Sequence, residues 1–354
     1  MDTLEKISRL AEGKKNLRFM EVCGTHTVAI FRSGIRQLLP ANIELVSGPG
    51  CPVCVTNDYY IDKAIAYSKR KNFIVATFGD MLKVPGSRSS LAAAQAEGAT
   101  IKIIYSPLDC IKLAQDNPDK KIIFLAVGFE TTAPTAAATV LAAKARGIKN
   151  LFMLSAQKLV PPALKFLLND SAVKVDGFLL PGHVAVVIGA DAFNFLAEDF
   201  KMPSAIGGFE AEEILAALLS LLEQIDGNRA EVSNNYRSVV KAAGNLSAQK
   251  ILAQVYEVAD VDWRGMGKIP ASGLKMRKEF SAFDIEQVAP LEIERVEKKT
   301  ACRCGEVLRG VINPTACPLF GKACKPLHAV GPCMVSVEGV CAAWFKYGGN
   351  NFKW

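Results

Sequence analysis

The sequence predicts an α/β protein: two similar domains with parallel sheets flanked by helices, followed by a small loop-rich C-terminal domain dense in cysteine. Short apolar runs rich in Ile, Val and Phe recur at 19–22, 43–47, 73–77, 101–105, 122–127, 151–155 and 177–181. Helix-like segments at 58–69, 89–97, 107–115, 134–146 and 161–168 alternate with them, the rhythm of parallel strands joined by crossover helices. The runs are apolar almost throughout, as strands buried on both faces are. From residue 301 onward periodicity gives way to six cysteines among Gly and Pro. A small region of that texture needs a metal or cross-links to hold it.

The elements follow in order. Residues 1–12 read as a short amphipathic helix, with Leu4, Ile7, Leu10 and Ala11 on one face. The polar turn Asn117-Pro118-Asp119-Lys120 separates two comparable α/β units without a residue-level repeat. The first domain is placed at 13–119 and the second at 120–258. The second carries a helical extension over 210–258, in three segments ending at 225, 243 and 258. The chain beyond is irregular, with Gly265, Gly267, Pro270 and Gly273, and the third domain is placed at 259–354. The 1–12 helix is expected to pack with the third domain or the second.

A chain of 354 residues exceeds what one core fills. Half the residues are apolar, so material for cores is ample. Lys and Arg number 42 against 35 acidic residues, and the excess is spread along the chain; Lys275-Met276-Arg277-Lys278 is its densest run. Basic residues interleaved with aromatics, as in nucleic-acid binders, are absent, so no nucleic-acid partner is expected. No apolar run reaches the roughly 18–20 residues of a membrane span. The charged N-terminal stretch has no apolar signal core. The expectation is a cytoplasmic protein, where clustered cysteines serve metals or redox chemistry more often than disulfide frameworks.

Two motifs near the front carry such chemistry. Glu21-Val22-Cys23-Gly24-Thr25-His26-Thr27 ends one strand and opens a helical segment, and Ser47-Gly48-Pro49-Gly50-Cys51-Pro52-Val53-Cys54 ends the next strand before a helix near Asn57. Functional groups of open α/β sheets gather beyond the carboxyl ends of strands. If both strands lie parallel in one sheet, Cys23, His26, Cys51 and Cys54 converge at one edge. Thiolate and imidazole suit iron, copper or zinc. Two cysteines separated by two residues chelate a metal or close a disulfide, and a helix N-terminus lowers a thiol's pKa. The bland alternative is a pair of buried cysteines packing as small hydrophobes. His26 is one of only three histidines and is read as ligand, proton shuttle or hydrogen-bonding support.

In the tail stand Cys302, Cys304, Cys317, Cys324, Cys333 and Cys341. Six thiols are two more than a four-thiolate site needs, so a [4Fe–4S] cluster with a leftover redox pair fits the count, and structural zinc is the competing reading. Gly128-Phe129-Glu130-Thr131-Thr132-Ala133-Pro134 follows a strand, with Thr132 as candidate N-cap; it lacks a P-loop lysine. Asp80, Lys83 and Ser87 are candidates to line a cleft, and Pro181-Gly182-His183 occupies a similar place in the second unit. Cys110 reads as core, and His328 as a support near the tail cysteines.

These segments resemble a known family. MEVCGTHT (20–27), SGPGCPVC (47–54), TFGDMLKVPGS (77–87), GFETTAP (128–134) and the tail CRCGEVLRG, CPLFGKAC and GPCMVSVEGVCAAWF are similar to the HypD family of hydrogenase maturation factors, over nearly the whole chain. One departure is Val28, where family members often carry a second His. The resemblance implies two α/β domains and an iron–sulfur domain. It implies a scaffold that, with the small chaperone HypC, holds an iron ion while cyanide and CO are attached; HypE supplies cyanide, with HypF upstream, and the Fe(CN)2CO unit goes to the [NiFe]-hydrogenase large subunit. Carried over, Cys23 is an iron ligand shared with HypC, and Cys51 and Cys54 are the front redox or iron-binding pair. Cys302, Cys317, Cys324 and Cys341 hold the [4Fe–4S] cluster, and Cys304 and Cys333 form a second redox pair relaying electrons, an arrangement like ferredoxin–thioredoxin reductase. Glu338 matches a position tied to function. A general iron–sulfur-dependent thiol–disulfide oxidoreductase is the alternative reading.

Overall fold

A computed structural model of the chain describes residues 2–296 and 300–348. Residues 297–299 and 349–354, parts of the expected third domain, lie outside the described residues. α1 (Thr3–Ala11) starts behind Asp2, which forms a reciprocal capping box with Glu5. β1 (Leu17–Glu21), α2 (Gly24–Arg32), α3 (Ile35–Leu38), β2 (Ile43–Ser47), α4 (Pro52–Val55) and α5 (Asp58–Ser68) follow. Then come β3 (Phe73–Thr77), α6 (Leu91–Ala96), β4 (Ile101–Ile103), α7 (Asp109–Asp116), β5 (Lys121–Gly128), α8 (Ala133–Ala145), β6 (Leu151–Gln157) and α9 (Val160–Leu168). β7 (Gly177–Pro181), α10 (Gly182–Ile188), α11 (Phe195–Glu198), β8 (Ser204–Gly207), α12 (Ala211–Asp226), β9 (Val232–Asn234) and α13 (Leu246–Val255) lead to the hairpin β10 (Tyr256–Trp263) and β11 (Gly267–Met276). α14 (Ile285–Val288), α15 (Cys304–Leu308) and α16 (Val340–Tyr347) lie beyond it.

The α/β architecture with parallel, helix-flanked sheets is the one predicted. One sheet has the order β2-β1-β7-β8-β9 and the other β4-β3-β5-β6, and every pairing within them is parallel. The units are interleaved, however, and do not divide at residue 119. The chain lays down β1 and β2, crosses to build the whole second sheet, and returns to the first with β7. The turn around Asp119 is a connection from α7 to β5 inside the second sheet. Strands buried on both faces carry no mark of which sheet they join, so a polar turn is easily taken for a boundary. The boundary at 258 likewise falls inside β10.

Residues 256–276, expected to be irregular beyond 258, form an antiparallel hairpin with a register shift between Ala259 and Val261. Its charges pair across the strands, Lys275 with Glu257 at 3.0 Å and Lys268 with Asp260 at 3.8 Å. The middle segment of the expected helical extension is not a helix. Asn228 takes a positive φ of 48°, and the Asn234 side chain accepts from Tyr236 N and donates to Val240 O. Such local side-chain bonds offer the backbone an alternative to the helix ladder.

α1 settles on α12: Ile7 and Ala11 pack with Leu218, Leu221 and Leu222 beneath the first sheet. It therefore joins the region placed at 120–258 and not the cysteine-rich tail. Ile7 is fully buried. An Ile7→Ala variant is expected to lose about 2–5 kcal/mol of stability, read from the urea midpoint at unchanged slope.

Candidate thiol and metal site

Both sheets change direction in the middle. In the first the reversal falls between β1 and β7, in the second between β3 and β5, and the crevice outside the carboxyl ends of such strands is where open α/β sheets hold ligands. Cys23 follows β1, His183 follows β7, Asp80 follows β3 and Glu130 follows β5. Four of the motifs thus sit on the two reversal edges, and the CPVC motif follows β2, the outer strand beside β1.

The CGTH and CPVC loops touch backbone to backbone. β1 and β2 are parallel neighbours, pairing Glu21 with Ser47. Gly48 N donates to Glu21 O at 2.8 Å, and Gly24 N donates to Gly50 O at 3.0 Å. A Cβ on Gly50 would lie 2.4 Å from Cys23 N and 2.6 Å from Cys23 Cα, so only glycine permits this approach. Cys51 stands at the N-cap of α4, its sulfur accepts from Cys54 N at 3.2 Å, and Cys51 and Cys54 are joined as a disulfide.

A lowered thiol pKa was expected at these helix starts. Cys51 and Cys54 do not titrate as a disulfide. Cys23, at the N-cap of α2, is buried, and burial pushes its thiol up to about 11, with the Glu338 charge adding to the rise and the His26 N–H opposing it. Desolvation outweighs the dipole of this short helix. Beneath the loops the buried Glu21 carboxyl accepts from the Ser47 hydroxyl and faces Arg36 at 3.8 Å; burial raises it to about 8.

His26 is fully buried, and its Nε2 lies 2.8 Å from Gly208 O. A carbonyl only accepts, so Nε2 carries the proton and Nδ1 keeps its lone pair; Nδ1 is buried without a partner. Burial pulls the ring down to about 4, so at neutral pH His26 is an uncharged group suited to accepting or ligating and not a source of protons. Phe209 lies between the two histidines, 4.6 Å from the His26 ring and 3.9 Å from that of His183.

Glu338 reaches this edge from the tail. Its Oε1 accepts from the Thr25 hydroxyl at 2.9 Å, and a Cβ on Gly24 would lie 2.5 Å from Glu338 O. Its carboxyl is raised mainly by burial. Ser336 donates to Asp80 at 3.0 Å, so one tail loop binds the edges of both sheets. Val28 lines a hollow with Thr25 and Glu338.

All six tail cysteines line one small hollow, together with Val307, Phe320, Gly331 and Met334. Burial and neighbouring thiols raise Cys333 and Cys341, and a hydrogen bond with Cys304 is the main cause of the rise at Cys302. Among the described residues no three His, Cys, Asp or Glu side chains already stand in metal-ligating positions. The donor set nevertheless fits a thiolate-held cluster in its chemistry, being soft, gathered on one hollow, and buried at Cys317, Cys324 and Cys333. The tail and front thiols share one core. Cys333 packs in the same apolar cluster as Cys51 and Cys54, Cys304 and Cys341 pack against it, and α4 has residues within 8 Å of the Pro332–Met334 turn.

Arg264, not singled out in the sequence, joins these parts. Its N donates to Val55 O and its Nε to Thr56 O, both at 2.8 Å, and its Nη1 pairs with Asp58 at 2.6 Å. Its charge opposes the rise at Cys302 and Cys333. The local signal that could have drawn attention to it is its neighbour Trp263, one of three tryptophans in the sequence. Elsewhere, Cys110 is core as read. Thr132 caps nothing with its side chain and donates to Phe129 O. Lys83 and Ser87 do line a cleft, and His328 stands there and not at the cysteine hollow.

Fold and site together define a parallel α/β protein with a thiol centre at a sheet-reversal edge and a second thiol set docked on it. A family model described as HypD, hydrogenase formation hypA family, matches residues 1–348. Hydrogenase maturation factor HypD of Escherichia coli is 45% identical over 345 residues, covering 97% of this chain and 92% of the relative. The factor of the same name from Azotobacter vinelandii is 44% identical with the same coverage, and a putative hydrogenase expression/formation protein of Methanocaldococcus jannaschii is 42% identical over 97% of this chain and 96% of its own. The chain belongs to the HypD family of hydrogenase maturation factors. Among the described residues no helix is long and apolar enough to cross a membrane.

Gly50→Ala is expected to destabilise the protein by about 1–3 kcal/mol, because backbone and not a yielding side chain opposes the new methyl. Faster alkylation of Cys23 by iodoacetamide should accompany the loss. A second outcome concerns pH. Unfolded His26 titrates near 6.5 and folded His26 near 4. The unfolded chain binds more protons between those values, so stability falls as pH drops through that window. Replacing His26 with Gln removes that share of the slope, up to about 3 kcal/mol, in urea unfolding compared with wild type from pH 7 to 4.

Proposed function

We propose that this chain is the scaffold on which an iron ion acquires cyanide and CO, held together with a small HypC-type chaperone and receiving cyanide from a HypE-type donor. The observation that carries the reading is the close contact of the Cys23 loop with the loop of the Cys51–Cys54 pair at the ends of β1 and β2, with neutral His26 in the first turn of the helix that Cys23 opens. Cys23 is the proposed iron ligand, shared with the chaperone. Its thiol is held protonated by burial, so iron must displace that proton, and binding should strengthen as pH rises. His26 Nδ1, with a free lone pair, supports the site as ligand or acceptor.

Cys302, Cys317, Cys324 and Cys341 are the proposed holders of a [4Fe–4S] cluster, which when bound supplies single electrons. Cys304 and Cys333 are the proposed second pair. As a dithiol they reduce Cys51–Cys54 by exchange: one thiolate attacks a sulfur of the disulfide, a mixed disulfide forms, and the second thiol displaces it. The products are a Cys304–Cys333 disulfide and free thiols at Cys51 and Cys54. The packing of α4 against the turn that carries Cys333 supports this contact step. The same packing is what the second reading, a general iron–sulfur-dependent thiol–disulfide oxidoreductase, would rest on.

The discriminating measurement is infrared absorption of the anaerobically purified chain in complex with its chaperone. Cyanide and carbonyl stretches are expected in wild type and absent from Cys23→Ala. Bands that survive in that variant would overturn the role of Cys23, and their absence from wild type would favour the oxidoreductase. Iron and sulfide analysis with a visible spectrum tests the cluster separately; zinc without broad absorption would remove it.

A further inference from the structure

A pocket of about 240 Å3 opens at the carboxyl end of the second sheet, outside the thiol set. Ser155, Gln157 and Lys158 line it at the end of β6, with Thr56 after α4, Tyr60 in the first turn of α5 and Asp262 on β10. Lys158 is only 3% exposed. Its backbone is fixed by donation to Gly128 O at 3.0 Å. Its ammonium has no hydrogen bond or ion pair within the described residues; the contact it makes is with the Trp263 ring, 5.7 Å from the centroid. Burial pulls this lysine down to about 8, with the Asp262 charge opposing and Arg264 adding.

An almost wholly buried cation that faces a ring but has no hydrogen-bond acceptor or counter-ion among the described residues is costly unless a ligand supplies one. The neighbouring polar atoms point the same way. Gln157 Oε1 is buried with no partner, so the amide is free to turn either end to a ligand. The hydroxyls of Tyr60, Thr56 and Ser155 already donate to Leu154, Pro52 and Leu274 carbonyls. That leaves Lys158, Gln157, the Asn57 amide and the N–H groups of the first turn of the 11-residue α5 other than that of Tyr60, which donates to Asn57, as donors. At the rim, Asp260 accepts from Ala271 N at 3.0 Å and Asp262 faces Arg295 at 4.0 Å; these acids disfavour a doubly charged guest.

We propose that this pocket binds a small monoanionic carboxylate, with Lys158 Nζ as counter-charge and the Gln157 amide as its second contact. Thr56 directly follows α4, so the occupant adjoins the helix that carries Cys54. The site needs neither iron nor a cluster to bind its ligand.

The test is reductive methylation of the full chain with formaldehyde and borane, mapped by peptide mass spectrometry. Acetate is titrated against chloride at constant ionic strength. Lys158 is expected to label in chloride, and its rate to fall roughly tenfold when acetate reaches ten times its dissociation constant. The exposed Lys149 should label at an unchanged rate. A Lys158 that resists the reagent in chloride shows a closed pocket and overturns the proposal. So does equal slowing at Lys149, no slowing at any acetate concentration, or protection by phosphate that matches acetate. Wild-type protein suffices for all of these. In Gln157→Leu, weaker protection of Lys158 supports the second contact, and unchanged protection removes it.

Discussion

Two loops pressed backbone against backbone hold this molecule's chemistry in place. Gly50 lies against Cys23 N and Cα with no room for a side chain, and Gly24 N closes the contact by donating to Gly50 O. The contact exists because β1 and β2 are parallel neighbours in register to their last residues, Glu21 opposite Ser47. Everything at the edge inherits that spacing. Cys23 sits over the start of α2, Cys51 over the start of α4, and Glu338 is drawn in by Thr25 above the same loop.

Burial, more than helix dipoles or paired charges, sets the resting state of these groups. Cys23 is held up at about 11 despite its place at a helix start, and His26 down at about 4 despite the Gly208 carbonyl on its Nε2. Both shifts favour the neutral form, as desolvation does for acids and bases alike. Cys23 and His26 therefore rest uncharged at neutral pH, beside the Glu338 carboxyl whose charge adds to the rise at Cys23. The Cys51–Cys54 disulfide is neutral too. Groups of this kind avoid a standing desolvation penalty while neutral and become charged only when a ligand compensates them.

Much of this was legible from residue order. The strands at 43–47, 73–77 and 177–181 coincide with β2, β3 and β7, because continuous apolar runs bounded by Gly and Pro have few other uses. The contact of the Cys23 loop with the Cys51–Cys54 loop followed from parallel strands ending in chemistry; the expected convergence of His26 with them is not what its contacts show, since the ring faces Gly208 and Phe209 beyond β8. What stayed hidden was long-range. The interleaving of the two sheets depends on where β7 docks, and Phe178 or Leu179 would suit either sheet equally. Phe209 between two histidines and Arg264 beneath the thiols are single residues in stretches without periodicity. Their roles come from where distant segments land, 183 residues apart for His26 and Phe209, and no local pattern encodes that.

The tail is the least self-sufficient part, and this explains its way of docking. α15 and α16 are short, and the loops between them carry little regular structure. Their attachment is spread over the rest of the molecule: Arg309 pairs with Asp170, Asn313 with Glu44, Ser336 with Asp80, and Phe31 packs edge-on against Trp344. A region with so little core of its own takes its shape from its neighbours and from whatever its six thiols hold. Arg264 is placed to feel both sets. It is tied to Val55, Thr56 and Asp58 on the front side, while its charge opposes the rise at Cys302 and Cys333 on the other. A change of charge at the tail thiols is therefore felt by the residue that braces the segment directly after Cys54.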